Sequence, residues 1–200
     1  MPRCNFDRLL NMTSTKKITT PVLLIAILPL FTALWLKYSG RNWLAPDGSL
    51  HLWYGLANGS GTSQHLLDPY SFTHFLHGFV FCWLIMLAGK SLPYLWQLTL
   101  AIAAESAWEI AENSETIINR YREATIALGY FGDSIINSMS DILVCALGFV
   151  VAARLGFKKS LAVFFIIELL LLLWVRDNLT LNIIMLIKPV AAIKLWQSAI

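Results

Sequence analysis

Long apolar runs separated by short polar stretches dominate the hydrophobic pattern of this chain of 200 residues. A helix needs about 20 mostly apolar residues to cross the hydrocarbon core of a bilayer. Five runs reach or approach that length, at about 21–38, 73–89, 93–112, 133–153 and 160–175. The pattern therefore predicts an all-α fold, an integral membrane helical bundle with about five transmembrane helices.

Two further segments predict helices that lie in the membrane interface. Over 113–132, apolar residues recur at helical spacing with arginines between them, which is typical of an interfacial helix. The second segment is 179–187, which is followed by Lys188 and Pro189. A sixth span there would place Lys188 near the middle of the membrane, and Pro189 would break it. The interfacial interpretation is therefore favoured for both segments.

Composition supports a membrane protein and gives an orientation. Hydrophobic residues make up 57% of the chain and charged residues only 14%, whereas a soluble domain is about one quarter charged. Basic residues flank the apolar runs near the N-terminus, at Lys90 and over 154–159, which are on one side of the membrane if there are five spans. The positive-inside rule then predicts a cytoplasmic N-terminal tail at 1–20 and a single multi-pass membrane domain at 21–200. Membrane lipids are the expected partners, and the net charge of +3 is too small to indicate nucleic acid.

The third predicted span carries three glutamates where lipid is expected. Glu105, Glu109 and Glu112 follow the i, i+4, i+7 spacing of one helix face. With a rise of 1.5 Å per residue, Glu105 lies about 10 Å deeper than Glu112. A carboxylate near the bilayer centre costs on the order of 2.5 to 3.5 kcal/mol on insertion scales. These side chains must therefore face the interior of the bundle or a wet cavity.

The neighbouring spans carry polar residues at the same outer end. His74 and His77 are spaced i, i+3 at the start of the second span, and Asp133, Asn137 and Asp141 are spaced i, i+4, i+8 from the start of the fourth. Alternating spans bring the end of the third helix to that same surface. The pattern therefore predicts that three helices direct their polar faces to one shared, outward-facing site.

The residue types at this site favour metal-dependent chemistry. Clustered carboxylates repel one another unless some are protonated or a cation lies among them. Two histidines beside carboxylates suit a divalent ion such as Zn or Mn. The candidate metal ligands are His74, His77, Glu112 and Asp133, and the candidate catalytic bases are Glu105 and Glu109. The candidate substrate-binding residues are Asn137, Asp141 and Arg176, the last because its planar, permanently charged fork suits an anionic headgroup.

Structural roles are open for the same residues. Asp133 follows Gly132 and is placed to cap the fourth span. Asn137 suits hydrogen bonding between helices without any site, and the two histidines cost little near an interface. Glu109 and Glu112 can form structural ion pairs with Arg120, Arg122 or Arg176.

Three long runs carry a family resemblance: SQHLLDPYSFTHFLHGF, AAESAWEIAENSETIINRYREATIALGYFGDSIINSMSDILVCALGF and RDNLTLNIIMLIKP. They resemble an uncharacterised family of small bacterial inner-membrane proteins, over about residues 45–197. The resemblance implies a multi-pass inner-membrane protein of Gram-negative bacteria and no known activity. Members of that family carry a Cys-x-Cys-Gly element that SGRNWLAPDGSLHLWYG lacks. A looser likeness to VanZ-like membrane proteins rests on a helical Glu-x-x-Trp-Glu followed by an Asp-x-x-x-Asn helix start.

Three functional hypotheses follow. The leading one is a membrane-embedded enzyme that acts at the outer leaflet on a lipid or lipid-linked substrate, with a metal that activates water or polarises a phosphoryl or acyl group. The second is a non-catalytic membrane component that handles protons or a cation. The third is a purely structural bundle held by buried polar contacts. The sequence contains no P-loop or dinucleotide fingerprint, which argues against nucleotide chemistry.

Overall fold

The computed structural model describes residues 15–88, 92–125 and 127–198, with side chains from residue 19 onward. These residues form eight α-helices and no strand, which confirms the predicted all-α fold. The helices are α1 (Thr15–Tyr38), α2 (Ser71–Ala88), α3 (Tyr94–Glu112), α4 (Glu115–Ala124), α5 (Ile135–Leu155), α6 (Phe157–Val175), α7 (Leu179–Ile187) and α8 (Ala191–Ser198). Most of the tail predicted at 1–20 lies outside the described residues, as does Lys90.

Five long helices occupy the positions of the five predicted spans. Among the described residues, three of them are long and apolar enough to cross a membrane, namely α1, α2 and α5. The other two are of similar length but each contains three charged residues: α3 contains Glu105, Glu109 and Glu112, and α6 contains Lys158, Lys159 and Glu168. The count of five spans therefore stays a prediction.

The closest helix contact joins α2 to α5 through two glycines. A Cβ atom added to Gly78 would lie 2.1 Å from the carbonyl oxygen of Cys145. One added to Gly148 would lie 2.0 Å from the carbonyl oxygen of Phe75. Small residues let helix backbones approach closely, which is how helices associate where lipid removes the hydrophobic driving force. No other residue type fits at either position without moving a backbone.

The direction of the helices brings their polar ends together. α2 and α5 are parallel: His74 faces Asp141 near the two starts, and the ring of Trp83 packs edge-on against Phe157 near the two ends. α3 runs the opposite way, so its last turns, from Glu105 onward, lie beside the start of α2. We call the end formed by the starts of α2 and α5 and the last turns of α3 the site end.

The other half of the same three helices is apolar. Its buried core consists of Phe79, Cys82, Ala101, Phe149, Ala152 and Ala153. We call this half the apolar end. α1 packs along α3 and α5 with its N-terminal part at this end, since Pro21 lies beside Thr99 while Leu36 packs with Ile135 near the site end.

The long loop between α1 and α2 covers the site end. The Gln64 side-chain amide donates to the Gly132 carbonyl at 2.9 Å, and the Asn137 amide donates to the His65 carbonyl at 2.9 Å. A side chain and a backbone carbonyl of the loop thus hydrogen-bond polar groups at and just before the start of α5. The loop closes the bundle on the side where the polar residues lie.

The C-terminal segment folds back as two short helices. Glu168 of α6 accepts hydrogen bonds from the backbone nitrogens of Leu179 at 2.9 Å and Thr180 at 3.1 Å, so it caps the start of α7. α7 has nine residues, a length of about 14 Å at 1.5 Å per residue, which is half of a bilayer core. It ends directly before Lys188 and Pro189, as the sequence predicts. α7 is therefore too short to be a sixth span by itself.

Candidate metal centre

Two histidines of α2 hold the deepest glutamate of α3. His74 Nδ1 lies 2.5 Å from Glu105 Oε1, and His77 Nδ1 lies 3.0 Å from Glu105 Oε2. Their i, i+3 spacing places both rings on one face of α2, opposite the glutamate stripe. Glu105 is completely buried. The carboxylate therefore has a nitrogen partner for each of its oxygens.

Glu109, one turn further along α3, has no such partners. It is completely buried, and neither carboxylate oxygen has a hydrogen bond. Its Oε1 lies 3.4 Å from His74 Nδ1, but that nitrogen is already bonded to Glu105. Asp141 lies on the other side of His74, 3.9 Å from Nε2, and its Oδ1 is also without a hydrogen bond. Buried carboxylates without hydrogen-bond partners are costly, so Glu109 and Asp141 need a proton or a cation that these contacts do not supply.

The outermost carboxylates are held in place by neutral donors. The Asn113 amide donates to Asp133 Oδ2 at 2.8 Å, and the Tyr130 hydroxyl donates to Asp133 Oδ1 at 2.9 Å. The Tyr121 hydroxyl hydrogen-bonds the Glu112 carboxylate, whose Oε2 has no partner. Burial, and next the charge of Asp133, raises the pKa of Tyr130 well above its ordinary value, so this tyrosine keeps the proton that it donates.

Together these residues form three overlapping sets with the geometry of metal ligands. In each set, one ligand atom from each residue lies within 4.8 Å of the others. The sets are His74, His77 and Glu105; His74, Glu109 and Asp141; and Glu109, Glu112 and Asp133. The first set is rich in nitrogen and suits Zn, whereas the third contains only oxygen ligands and suits Mn or Mg. Every predicted metal ligand and both predicted bases belong to at least one set.

A cavity of about 970 Å³ opens above the cluster. Its polar floor consists of His74, His77, Glu112, Asp133 and Asp141. One wall is apolar and consists of Val80, Phe81, Ala104, Ala107, Trp108 and Ala111 of α2 and α3. The covering loop, the segment after α4 and α7 form the remaining sides. A large, largely apolar cavity with a few convergent polar groups is the usual form of a ligand site.

Two of the predicted substrate-binding residues lie elsewhere or are already engaged. Arg176 is not part of the cavity wall; its guanidinium donates to the Trp196 carbonyl at 3.1 Å and lies 5.8 Å from the centre of that ring. The Asn137 amide donates a hydrogen bond to the His65 carbonyl. Of the three residues, only Asp141 lines the cavity.

The structural alternatives for the carboxylates find no support. Ser134, not Asp133, caps α5, because its side chain accepts from the Asn137 backbone nitrogen. The arginines considered as ion-pair partners donate to backbone carbonyls: Arg120 to Leu186 and Ile187, Arg122 to Tyr130, and Arg176 to Trp196. Glu109 and Glu112 therefore face each other without the arginines.

Sequence reasoning did not find the neutral donors around the cluster. Asn113, Tyr121 and Tyr130 lie outside the apolar runs, in segments where polar residues are expected and carry no signal. Asp68 was also missed; its carboxylate accepts from the Tyr70 backbone nitrogen at 2.7 Å, and burial raises its pKa. The position of Asn113 directly after the glutamate stripe, in AENSE, is the one feature that could have pointed to it.

Comparison with known proteins places the chain in a family. Residues 36–199 match the family model described as "Protein of unknown function (DUF2585)". The chain belongs to this family. It is 48% identical over 161 residues to a UPF0314 protein of Rhizobium meliloti, which covers 80% of this chain and 82% of that protein. These findings confirm the resemblance to an uncharacterised family.

Two further relatives of the DUF2585 family match over most of their length. A UPF0314 protein of Paracoccus denitrificans is 46% identical over 84% of this chain and 87% of its own. One of Brucella anthropi is 41% identical over 90% of each chain. No solved structure matches significantly. These names state no activity, so any function has to be argued from the geometry of the metal centre, and the likeness to VanZ-like proteins stays a prediction.

Proposed function

We propose that the protein is a multi-pass protein of the bacterial inner membrane with its site end outward. Large apolar side chains on the outer faces of α1 and α6, such as Leu30 and Leu173, are exposed in the folded chain, as expected of surfaces that contact lipid. Arg154, Lys158 and Lys159 lie at the apolar end, which the positive-inside rule assigns to the cytoplasm. α1 begins at the same end, which supports a cytoplasmic N-terminus.

Reporter fusions test this orientation. A reporter that is active only in the periplasm should work when fused at Gly61, in the loop over the site end, and fail when fused at Lys158. The reverse result would reject this orientation and place the candidate metal centre on the cytoplasmic side.

At the site end, we propose a metal-dependent enzyme. The observation that carries this proposal is Glu109, a completely buried carboxylate with no hydrogen bond to either oxygen. Native proteins satisfy nearly all buried polar groups, and a partly satisfied network is costly. A divalent cation supplies the missing positive charge. The ligands His74, His77 and Glu105 suit Zn or Mn.

The expected chemistry is hydrolysis. A divalent ion lowers the pKa of a bound water and polarises a phosphoryl or acyl oxygen. Glu109 lies beside His74 with both oxygens free, so it is the group placed to accept the proton of that water. Glu105 is bound by both histidines and acts as a ligand instead. Of the two candidate bases, the geometry therefore favours Glu109.

The shape of the cavity supports a lipid or lipid-linked substrate. Its polar floor lies next to an apolar wall that includes Val80, Phe81 and Trp108. An amphiphile fits this division, with its headgroup over the histidines and carboxylates and its chain along α2 and α3. Arg176 lies outside the cavity, so headgroup binding depends on the metal and the floor residues rather than on this arginine.

The two competing hypotheses have less support. A path for protons needs polar groups through the bundle, but the core beyond Glu105 is apolar at Phe79 and Phe149. A purely structural network would satisfy its members, as Glu168 is satisfied by α7, whereas Glu109 and Asp141 keep oxygens without partners. Both points favour a one-sided ligand site.

Metal content tests the proposal. The wild-type protein, purified in detergent without chelator, should contain near-stoichiometric Zn or Mn by elemental analysis. Glu105→Gln should lose this metal, because the amide keeps the shape of the ligand but not its charge. Glu115→Gln, at an exposed position on α4, is the matched control and should keep it. A wild type that contains no metal after this purification would reject the metalloenzyme.

A further inference from the structure

Two of the three ligand sets share no residue. The nitrogen-rich set consists of His74, His77 and Glu105, and the oxygen-only set consists of Glu109, Glu112 and Asp133. They adjoin each other, since Glu109 Oε1 lies 3.4 Å from His74 Nδ1. One cation among the first three residues would leave the second three without any compensating charge. The centre therefore has room, and ligands, for more than one ion.

We propose that the oxygen-only set binds a second divalent cation, Mn²⁺ or Mg²⁺, beside the ion of the proposed function, on which this inference rests. Glu112 is nine-tenths buried, and its Oε2 has no hydrogen-bond partner. Within the residues that the structure describes, no lysine or arginine forms an ion pair with Glu112 or Asp133. Three carboxylates thus lie within 4.8 Å of one another, and the ionisable nitrogen that the structure shows beside them is that of His74, next to Glu109.

The surroundings of this set match those of a metal site rather than of a protonated network. Ligating carboxylates are themselves held by hydrogen bonds from outer residues, which fix their orientation. Asn113 and Tyr130 both donate to Asp133, and Tyr121 hydrogen-bonds Glu112. Each bonded oxygen has a second lone pair that remains for an ion. Carboxylate oxygens with no nitrogen ligand suit hard ions such as Mn²⁺ or Mg²⁺.

The position of the second ion gives it access to a ligand. Glu112 and Asp133 line the floor of the cavity, as do His74 and His77 of the first set. Paired ions at about 3.5 to 4 Å serve as a clamp on the attacking and leaving oxygens of a displacement. Glu109 is the member of the oxygen-only set that lies next to His74; one of its oxygens can bind the second ion while the other accepts the proton of water.

Metal stoichiometry in the full-length protein tests the second site. Purified wild type, dialysed against Mn²⁺ and then against metal-free buffer, should retain two ions per chain. Glu112→Gln should retain one, and the Mn²⁺ paramagnetic resonance spectrum should change from that of a coupled pair to that of a single ion. Asp133→Asn is the second variant, in case Glu112→Gln does not fold, and Glu115→Gln is the control that should retain two.

The outcomes separate this inference from the proposed function. One ion in the wild type, unchanged by Glu112→Gln, would reject the second site and leave the metalloenzyme intact. Two ions that both survive Glu112→Gln and Asp133→Asn would place the second ion elsewhere and equally reject this assignment. No retained ion in the wild type would reject the proposed function and the second site together.

Discussion

The two ends of α2, α3 and α5 differ in the kind of residues that they bury. At the apolar end, α2, α3 and α5 pack through Phe79 and Phe149, and Gly78 and Gly148 let two backbones touch. At the site end, the helices carry buried carboxylates, of which Glu109 has no partner for either oxygen. The comparison indicates that one end stabilises the bundle, so that the other can hold groups that destabilise it. Such strain is typical of functional sites.

The largest expected effect comes from adding a side chain at the close glycine contact between α2 and α5. Gly148→Ala adds a Cβ that would lie 2.0 Å from a backbone carbonyl of α2, so the helices must separate. Overpacking of this kind costs about 3 kcal/mol or more, although alanine ordinarily stabilises a helix by about 1 kcal/mol relative to glycine. Thermal unfolding in detergent should show a large loss of stability.

Gly129→Ala is the control for this comparison. Nothing lies within 4 Å of a Cβ added there, so stability should stay within about 0.5 kcal/mol of wild type. If Gly148→Ala were as stable as this control, α2 and α5 would not be in close contact, and the apolar end would not be the source of stability.

A smaller effect is expected at the rim of the cavity, from Asp177. Burial raises the pKa of Asp177 to about 6, although it accepts hydrogen bonds from the Asn178 backbone and the Tyr70 hydroxyl. The folded protein then binds this proton more tightly than the unfolded chain does. The free energy of unfolding should therefore fall as pH rises from about 4 through 6, by on the order of 2 to 3 kcal/mol for this group.

Asp177→Asn isolates that contribution. The variant should lack this part of the pH dependence and should gain stability relative to wild type between pH 4 and pH 7. Other buried carboxylates, such as Asp68, titrate in both proteins and cancel in the difference. Equilibrium unfolding at several pH values measures this difference in the free energy of unfolding between wild type and Asp177→Asn. A difference between the two proteins that does not change with pH would mean that Asp177 is not held protonated by burial.

Sequence periodicity was sufficient to predict the helices and the convergence of their polar faces. Apolar runs long enough to span a membrane must alternate in direction, so Glu105, His74 and Asp141 had to reach the same end if they were spans at all. The i, i+4 spacing then indicated that the polar residues of each helix lie on one face. These two constraints are local, which explains why they could be read without the structure.

Residues whose positions depend on tertiary contacts were predicted poorly. Arg176 was expected in the site, but α6 ends there in a left-handed conformation, with φ 53°, and the chain continues into α7. The Arg176 side chain instead donates to the backbone carbonyl of Trp196 in α8. Asn113 and Tyr130 reach Asp133 only because the segment after α4 folds back on α3 and α5. Turns of this kind depend on tertiary contacts, for which single-residue patterns give no signal.

The smallest expected effect contrasts two buried glutamates by the same substitution. Glu168 resembles Glu109 in burial, but its two oxygens accept backbone hydrogen bonds from Leu179 and Thr180 at the start of α7. Glu168→Gln keeps one acceptor oxygen and leaves one backbone donor without its partner, which should cost about 1 to 2 kcal/mol.

Glu109→Gln in metal-free protein should have the opposite sign, because it removes an unpaired buried charge and breaks no hydrogen bond. Thermal unfolding of both variants, after treatment with chelator, measures the pair side by side. If both substitutions destabilise the metal-free protein, Glu109 has a structural partner after all. The site end would then be a satisfied network like the start of α7, and the contrast between the two ends of the bundle would be lost.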